Sequence, residues 1–99
     1  MIRATTPTHK FILPFDYNTY VKKIAIAYVQ NGRTILKKTE SDVEVNGSTV
    51  SYKLTQEETK RFISGNVRVQ VRVLTLNNEA LASEQYTLPV TNVLNDEVL

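Results

Sequence analysis

Few residues of this 99-residue chain have side chains that could carry catalytic or metal chemistry. His9 is its one histidine and the chain contains no cysteine, so a zinc site, a thiolate nucleophile or a histidine triad lacks the groups it needs. We therefore predict that His9 is an ordinary surface residue. We also predict no enzyme activity, no metal site and no cofactor site, because no acid, base and nucleophile can be grouped from the remaining residues.

Three acidic residues, Glu40, Asp42 and Glu44, stand two positions apart, a spacing that places side chains on one face of a strand. Carboxylates grouped in this way can bind calcium, but the spacing of an EF-hand loop, with its glycine and terminal glutamate, is missing. We therefore predict a solvated strand face here. The three glycines stand singly, so no phosphate-binding loop is predicted.

Basic residues occur in pairs at 22–23, 37–38 and 60–61, and Arg68 and Arg72 share one face of a predicted strand. Such a patch could bind an anionic polymer. The net charge of +2 is nevertheless small and spread along the chain, whereas nucleic-acid binding favours a clustered basic stripe with aromatic residues. Alternating charges also keep sheet surfaces soluble and hinder edge pairing, so we favour that interpretation and predict no nucleic-acid partner.

The strongest structural signal is the alternation of apolar and polar residues within residues 66–90. Period two is typical of a half-buried strand, because successive side chains point to opposite faces. Asn77 and Asn78 can adopt the positive φ of a tight turn, so we predict a long antiparallel hairpin. Glu84 stands in phase with the apolar residues of the return strand, which indicates a bulge there. The alternating apolar residues are Val67, Val69, Val71, Val73, Tyr86, Leu88 and Val90.

The preceding segments are also predicted to be strands joined by turns. Residues 8–14 form a first strand, and residues 16–19 form a polar turn after it. Residues 21–39 form a hairpin whose turn is Asn31-Gly32, the strongest short hairpin signal, because both central residues of a type I′ turn need positive φ. A second hairpin turns at Asn46-Gly47. A sheet rich in hairpins therefore precedes the long hairpin.

A change of period at Thr55 marks one short helical segment. Thr55 and Glu58 form a capping-box pattern. In this motif the threonine hydroxyl accepts from the backbone amide of Glu58, and the glutamate side chain accepts from the backbone amide of Thr55. One or two helical turns near residues 55–62 follow, with Phe62 and Ile63 predicted to face inward. No candidate helix is long enough for a crossover, so an α/β sheet is not predicted.

About seven short strands with turn signals between them are typical of a two-sheet antiparallel β-sandwich. We predict an all-β sandwich that forms a single domain over residues 1–99, with a small barrel as the alternative. Residues 91–99 fall outside the strand pattern and are predicted to be a C-terminal tail or an arm that docks on a neighbouring subunit. No apolar run approaches the length of a membrane span, and the N-terminus has no signal-peptide pattern, so no membrane partner is predicted.

Apolar residues on the polar side of the strand alternation are the clearest candidates for protein contacts. Outward apolar residues mark a contact surface when they are contiguous, whereas a bulge or a bend would bury them. The two arginines and the apolar tail residues complete the predicted set. The candidate protein-interaction residues are Arg68, Arg72, Leu74, Leu76, Ala25, Ala27, Val29, Val93 and Leu94.

Several segments resemble a known family. They are LTQEET at 54–59, VQVRVLT at 69–75, ALAS at 80–83 and the opening RATTPTHKFILPF at 3–15. In these segments the chain resembles small structural proteins of tailed phages and prophages of Firmicutes, and it is similar to the immunoglobulin-like N-terminal domain of phage upper-baseplate proteins. The resemblance continues into the hairpin turn at 28–33 and the ending at 93–96.

The resemblance implies an immunoglobulin-like β-sandwich that serves assembly rather than catalysis. It implies a virion structural protein of the tail, baseplate or neck, made in the bacterial host cytoplasm. Its partners would be other virion proteins, and it would act as a homo-oligomer or in several copies. The alternative is a β-sandwich module that binds carbohydrate or another host-surface ligand, for which the exposed aromatics would be Tyr17 and Tyr20 in a predicted loop.

Overall fold

A computed structural model describes residues 1–83 and 85–94 of the chain. Within them the protein is an all-β sandwich of antiparallel strands with two short helices, as predicted. There are eight strands rather than about seven, because the last predicted strand is divided in two. The elements are β1 Thr8–Ile12, α1 Tyr17–Tyr20, β2 Val21–Gln30, β3 Arg33–Thr39, β4 Glu44–Asn46, β5 Thr49–Lys53, α2 Gln56–Lys60, β6 Gly65–Thr75, β7 Ala80–Ala82 and β8 Tyr86–Val90.

The larger sheet is built around β6, the first strand of the predicted long hairpin. β6 pairs with β2 on one side and with β7 and β8 on the other, and β3 lies beyond β2. The prediction of this hairpin is confirmed, and so is the shift in its return strand. Arg72 pairs with Ala82 but Val69 pairs with Tyr86, so the registers of β7 and β8 against β6 differ by one residue. Glu84 itself lies outside the described residues.

The smaller sheet has the order β1-β5-β4 and covers the inner face of the larger one. Its inward side chains include Val50 and Tyr52 of β5, which are 0% and 5% exposed. Ile12 of β1 points the other way and is 80% exposed, as its place in the alternation predicts. The shared core is therefore a layer of apolar side chains between the two sheets. Its buried members are Leu13, Val21, Ile24, Ile26, Tyr28, Leu36, Val50, Tyr52, Leu54, Phe62, Val67, Val69, Val71, Val73 and Val90.

The predicted local signals at the turns hold in the structure. Asn31 and Gly32 have φ values of +53° and +76°, as a type I′ turn requires. The capping box is present, because Thr55 accepts from the Glu58 amide and the Glu58 side chain accepts from the Thr55 amide. The polar turn predicted at residues 16–19 is instead the single helical turn α1, which Asp16 caps.

The segment after α2 corrects one prediction of side-chain direction. Phe62 is fully buried, but the neighbouring Ile63 is 56% exposed rather than inward. Both hydrogen-bonding groups of the Ile63 backbone bind the buried Gln30 side chain, at 2.9 Å for its amide and 2.8 Å for its carbonyl. These hydrogen bonds with Gln30 orient the backbone so that the Phe62 side chain points to the core and the Ile63 side chain points to solvent.

The two ends of the described chain meet at one end of the larger sheet. Ile2 forms a parallel bridge with Thr91, and Arg3 donates to the Asn92 side chain at 3.0 Å. The predicted tail thus begins at a backbone bridge to the N-terminal segment. Residues 95–99, which complete the predicted tail or arm, lie outside the described residues.

Candidate protein interface

The outer face of the larger sheet brings together the outward residues of β2 and β6. Ala25 lies beside Arg72 and Val29 beside Arg68, while Ala27 lies beside Gln70. These cross-strand pairs follow from the shared period of two, since the valines of β6 and the isoleucines of β2 face the core. The outer face of the larger sheet is therefore a surface of small apolar residues bordered by arginines.

Six of the nine predicted contact residues lie on this face, which answers the question of contiguity that the sequence leaves open. The apolar members are half-buried and the two arginines are exposed. The register shifts of β2, at Tyr28/Val29 against β3 and at Val21/Lys23 against β6, leave these residues on the surface. The six residues are Ala25, Ala27, Val29, Arg68, Arg72 and Leu74.

The other three predicted residues lie beyond the ends of the paired strands. Leu76 lies past the end of β6, where its amide donates to the Tyr20 carbonyl, and it is 57% exposed. Val93 is half-buried and Leu94 is fully exposed, and both follow Thr91 at the opposite end of the sheet. Leu76 is thus separated from Val93 and Leu94 by the length of β6, roughly 33 Å at 3.3 Å per residue. The nine predicted residues therefore do not form one site.

Two basic residues that the contact prediction missed complete the outer face. Lys23 pairs with Leu74, and Lys37 of β3 pairs with Ala27, so both lie on the same side of the sheet as the arginines. The strand alternation indicates which face of its own strand each lysine occupies. It assigns Lys37 to the outer face of the larger sheet only once β3 is known to lie beside β2. An open trough of about 400 Å³ runs over this surface, lined by Lys23, Ala25, Lys37, Arg72 and Leu74 among others.

The predicted acidic strand face is wrong. Only Glu44 lies in a strand, whereas Asp42 lies in the turn after β3 and accepts from the Thr39 amide at 2.9 Å. This hydrogen bond from the Thr39 backbone lowers the pKa of the Asp42 carboxyl. Among residues 1–83 and 85–94, no three His, Asp or Glu side chains are grouped so that they could hold a metal ion.

The prediction that His9 is an ordinary surface residue is also wrong. His9 is half-buried on the inner side of β1, with its ring stacked on Tyr28 at a centroid distance of 5.6 Å. The Tyr28 hydroxyl is hydrogen-bonded to His9 Nδ1 and to the Tyr52 hydroxyl, so three polar groups form a chain between the sheets. In the neutral tautomer that carries its proton on Nε2, His9 Nδ1 accepts from the Tyr28 hydroxyl, which in turn accepts from Tyr52.

Burial sets the protonation state of this chain. Burial lowers the pKa of His9, and the positive N-terminal amine lowers it further. Burial also raises the pKa values of Tyr28 and Tyr52, so both hydroxyl groups keep their protons. The hydrogen-bonded side chains of His9, Tyr28 and Tyr52 are thus uncharged at neutral pH. This allows them to lie between the two apolar sheet faces.

One ion pair borders this polar chain. Lys38 Nζ lies 2.5 Å from Glu58 Oε2 and 5.9 Å from the centre of the Tyr52 ring. Burial acts to raise the pKa of Glu58, but the hydrogen bonds from Lys38 and from the Thr55 backbone lower it overall. The pair joins β3 to α2 beside the buried tyrosines.

We expect the free energy of unfolding to fall as the pH falls below 6.5, the ordinary pKa of histidine. The unfolded chain takes up a proton at His9 before the folded chain does, because the pKa of His9 is lower in the fold. Between the two pKa values the unfolded state therefore binds more protons and is favoured. Urea unfolding at a series of pH values between about 7.5 and 5.5 measures the effect.

His9→Gln is the matched variant, because its amide oxygen can accept from the Tyr28 hydroxyl without titrating. The free energy of unfolding of this variant should be nearly independent of pH in the same range. The pKa values of Asp42 and Glu58 are lowered, so their titration lies below this range. An unchanged pH dependence in the variant would show that His9 is not the responsible group.

A second apolar surface lies along the open flank of the sandwich, between the free edges of β1 and of β7 and β8. Its cavity measures about 180 Å³ and is lined by side chains of both sheets. Tyr86 and Leu81 are 52% and 42% exposed there. The lining residues include Phe11, Leu13, Phe15, Val73, Leu81 and Tyr86.

No helix of the described chain is long and apolar enough to cross a membrane. No protein-family model matches the chain, and no curated protein sequence is similar to it.

Proposed function

We propose that the protein is a virion structural component of a tailed phage or prophage, which assembles through protein-protein contacts in the tail, baseplate or neck. The observation that carries this proposal is the contiguity of the outer face, where Ala25 pairs with Arg72, Val29 pairs with Arg68 and Ala27 lies between them. The resemblance of residues 54–59, 69–75 and 80–83 to phage structural proteins supports the assignment to a virion.

The composition of this face suits a protein partner. Interfaces combine an apolar centre with a polar rim, and arginine is enriched in them over lysine. Here three small apolar side chains form the centre and exposed cations form the rim. The small side chains allow close approach of another backbone, which a surface of long side chains would prevent.

The carbohydrate-binding alternative receives less support from the arrangement of the aromatic residues. Tyr17 packs against the core, whereas Tyr20 is 52% exposed, with its ring 5.8 Å from that of Phe15. Of the two tyrosines that this alternative would use, Tyr20 is exposed and Tyr17 is half-buried. Protein contact remains the function that the described surface supports best.

Incorporation into particles tests the proposal directly. An epitope-tagged chain is expressed during particle production from the genome that carries the gene, and gradient-purified particles are examined by quantitative immunoblot. We expect the wild-type chain in the particles, and at least ~tenfold less of an Arg68→Glu/Arg72→Glu variant, since a reversed charge pair at an interface is strongly unfavourable.

The matched control is Lys10→Glu/Lys53→Glu, which changes the net charge equally on the outer side of the smaller sheet. It should be incorporated like the wild type, and circular dichroism should show that both variants are folded. Absence of the wild-type chain from the particles would refute the virion assignment. Equal incorporation of both double variants would refute the role of the outer face.

A further inference from the structure

We propose that the outer face of the larger sheet binds an extended acidic segment of a partner protein, laid along β2. This inference rests on the proposed assembly function and specifies the chemistry of the partner. It is carried by the arrangement of the cations around the apolar stripe, which is defined here as Ala25, Ala27 and Val29.

The apolar stripe runs along the middle of the outer face. Its three side chains stand two residues apart on β2, so they are roughly 7 Å from one another. β3 lies on one side of β2 and β6 on the other, and both carry longer side chains. The stripe is thus the floor of a shallow channel, with the width of two strand spacings, about 10 Å, between its walls. An extended chain fits a channel of this width.

Cations stand on both walls of the channel and at one end. Lys37 lies on the β3 wall, Arg68 and Arg72 lie on the β6 wall, and Lys23 lies at the end near Leu74. All four are exposed. Within the part of the chain that the structure describes, none of the four forms a salt bridge, and Glu40 is the one carboxylate that lines the trough.

This charge pattern specifies an acidic partner. Four exposed cations with a single carboxylate nearby give this face a positive potential, and that potential attracts a segment that carries carboxylates. Arginine can bind a carboxylate through two parallel hydrogen bonds, which also orients the bound segment. Small apolar side chains of the same segment would face the stripe, and the long lysine and arginine side chains of the two walls would reach the carboxylates on its opposite face, since strand-like side chains alternate between two faces.

The same features disfavour nucleic acid as the occupant. Single-stranded nucleic acid binds grooves in which aromatic rings stack on the bases, and no aromatic side chain lines this trough. The stripe also places methyl groups where a phosphate backbone would need hydrogen-bond donors. We therefore assign the site to a protein segment and treat an oligonucleotide as a competing probe.

The test measures binding of a fluorescein-labelled peptide of alternating Asp and Ala, about ten residues long, which matches the length of β2 at 3.3 Å per residue. Fluorescence anisotropy should show saturable binding to the wild-type chain at low salt, and weaker binding as salt screens the charges. The Arg68→Glu/Arg72→Glu variant should bind at least ~tenfold more weakly, whereas Lys10→Glu/Lys53→Glu should bind about as well as the wild type.

Amide chemical shifts locate the bound peptide. We expect the largest changes at Ala25, Ala27 and Val29 and small changes in β1 and β5. Equal weakening by the two double variants would overturn the proposal, because it would show a response to net charge alone. An oligothymidine of equal charge that binds more tightly than the peptide, and depends on the same arginines, would assign the face to nucleic acid instead.

The peptide test and the particle test fail independently. If the peptide does not bind but incorporation still depends on Arg68 and Arg72, the assembly function stands and the acidic partner is wrong. If the peptide binds but the wild-type chain is absent from particles, the face binds acidic segments in another setting and the virion function is wrong.

Discussion

The Val71→Asp variant is expected to be unfolded in the absence of denaturant. Val71 is 5% exposed and faces the core from the middle of β6, where it pairs with the fully buried Ile26. An unpaired carboxylate at this place costs several kcal/mol, which is comparable with the whole stability of about 5–15 kcal/mol of a small domain. Far-ultraviolet circular dichroism and urea titration measure the loss.

Arg72→Asp is the control, because it introduces the same side chain at the next position, which points to solvent. Arg72 is exposed, so this variant should keep the wild-type spectrum and a cooperative urea transition. The comparison separates the inner face of β6 from its outer face. A folded, cooperative Val71→Asp variant would contradict the assignment of that inner face to the core.

The Phe62→Ala variant should lose about 3–5 kcal/mol of stability, the usual cost of removing a buried phenylalanine ring. Phe62 is 0% exposed, and its ring centre lies 5.8 Å from that of Tyr28. Removing the ring leaves a cavity where the segment after α2 closes the core. The midpoint and slope of urea unfolding give the change in the free energy of unfolding.

Ile63→Ala tests the direction of the neighbouring side chain. Ile63 is 56% exposed and its contacts to Gln30 are made by its backbone, so its truncation should change stability by no more than about 0.5 kcal/mol. A loss as large as that of Phe62→Ala would mean that both side chains are buried. That outcome would restore the expectation drawn from the sequence.

Only one of these variants, Arg72→Asp, tests the proposed interface in a folded chain. Val71→Asp and Phe62→Ala act on the layer between the sheets, whereas Arg72→Asp changes only the outer face. A virion or peptide assay with Arg72→Asp therefore reports on binding in a folded chain. Loss of incorporation in Val71→Asp would carry no such information, since the fold itself is lost.

Local features of the fold could be predicted because neighbouring residues specify them. Asn31-Gly32 forms the predicted turn because the φ values of two adjacent residues decide it. The capping box joins Thr55 and Glu58, which are one helical turn apart. The period of two along β6 likewise separates its inner and outer faces without reference to any other strand.

Side-chain surroundings could not be predicted where distant segments supply them. His9 is half-buried because Tyr52 of β5 lies beside it and Tyr28 of the opposite sheet lies beneath it. Ile63 is exposed because Gln30, from the end of β2, binds its backbone. The alternation with Phe11 and Leu13 places His9 on the inward face of β1, but the residues adjacent to His9 and Ile63 do not identify the partners that surround them.

The sequence by itself determined which side chains of each strand share a face, and therefore that Ala25, Ala27 and Val29 point away from the core. Only the tertiary structure decided that Lys37 and Arg72 flank them, because sheet order is set by packing between strands far apart in the chain. It also decided that Leu76 and Leu94 lie at opposite ends of the larger sheet. Strand periodicity is a local steric property, whereas a surface is composed by whichever strands hydrogen-bond side by side.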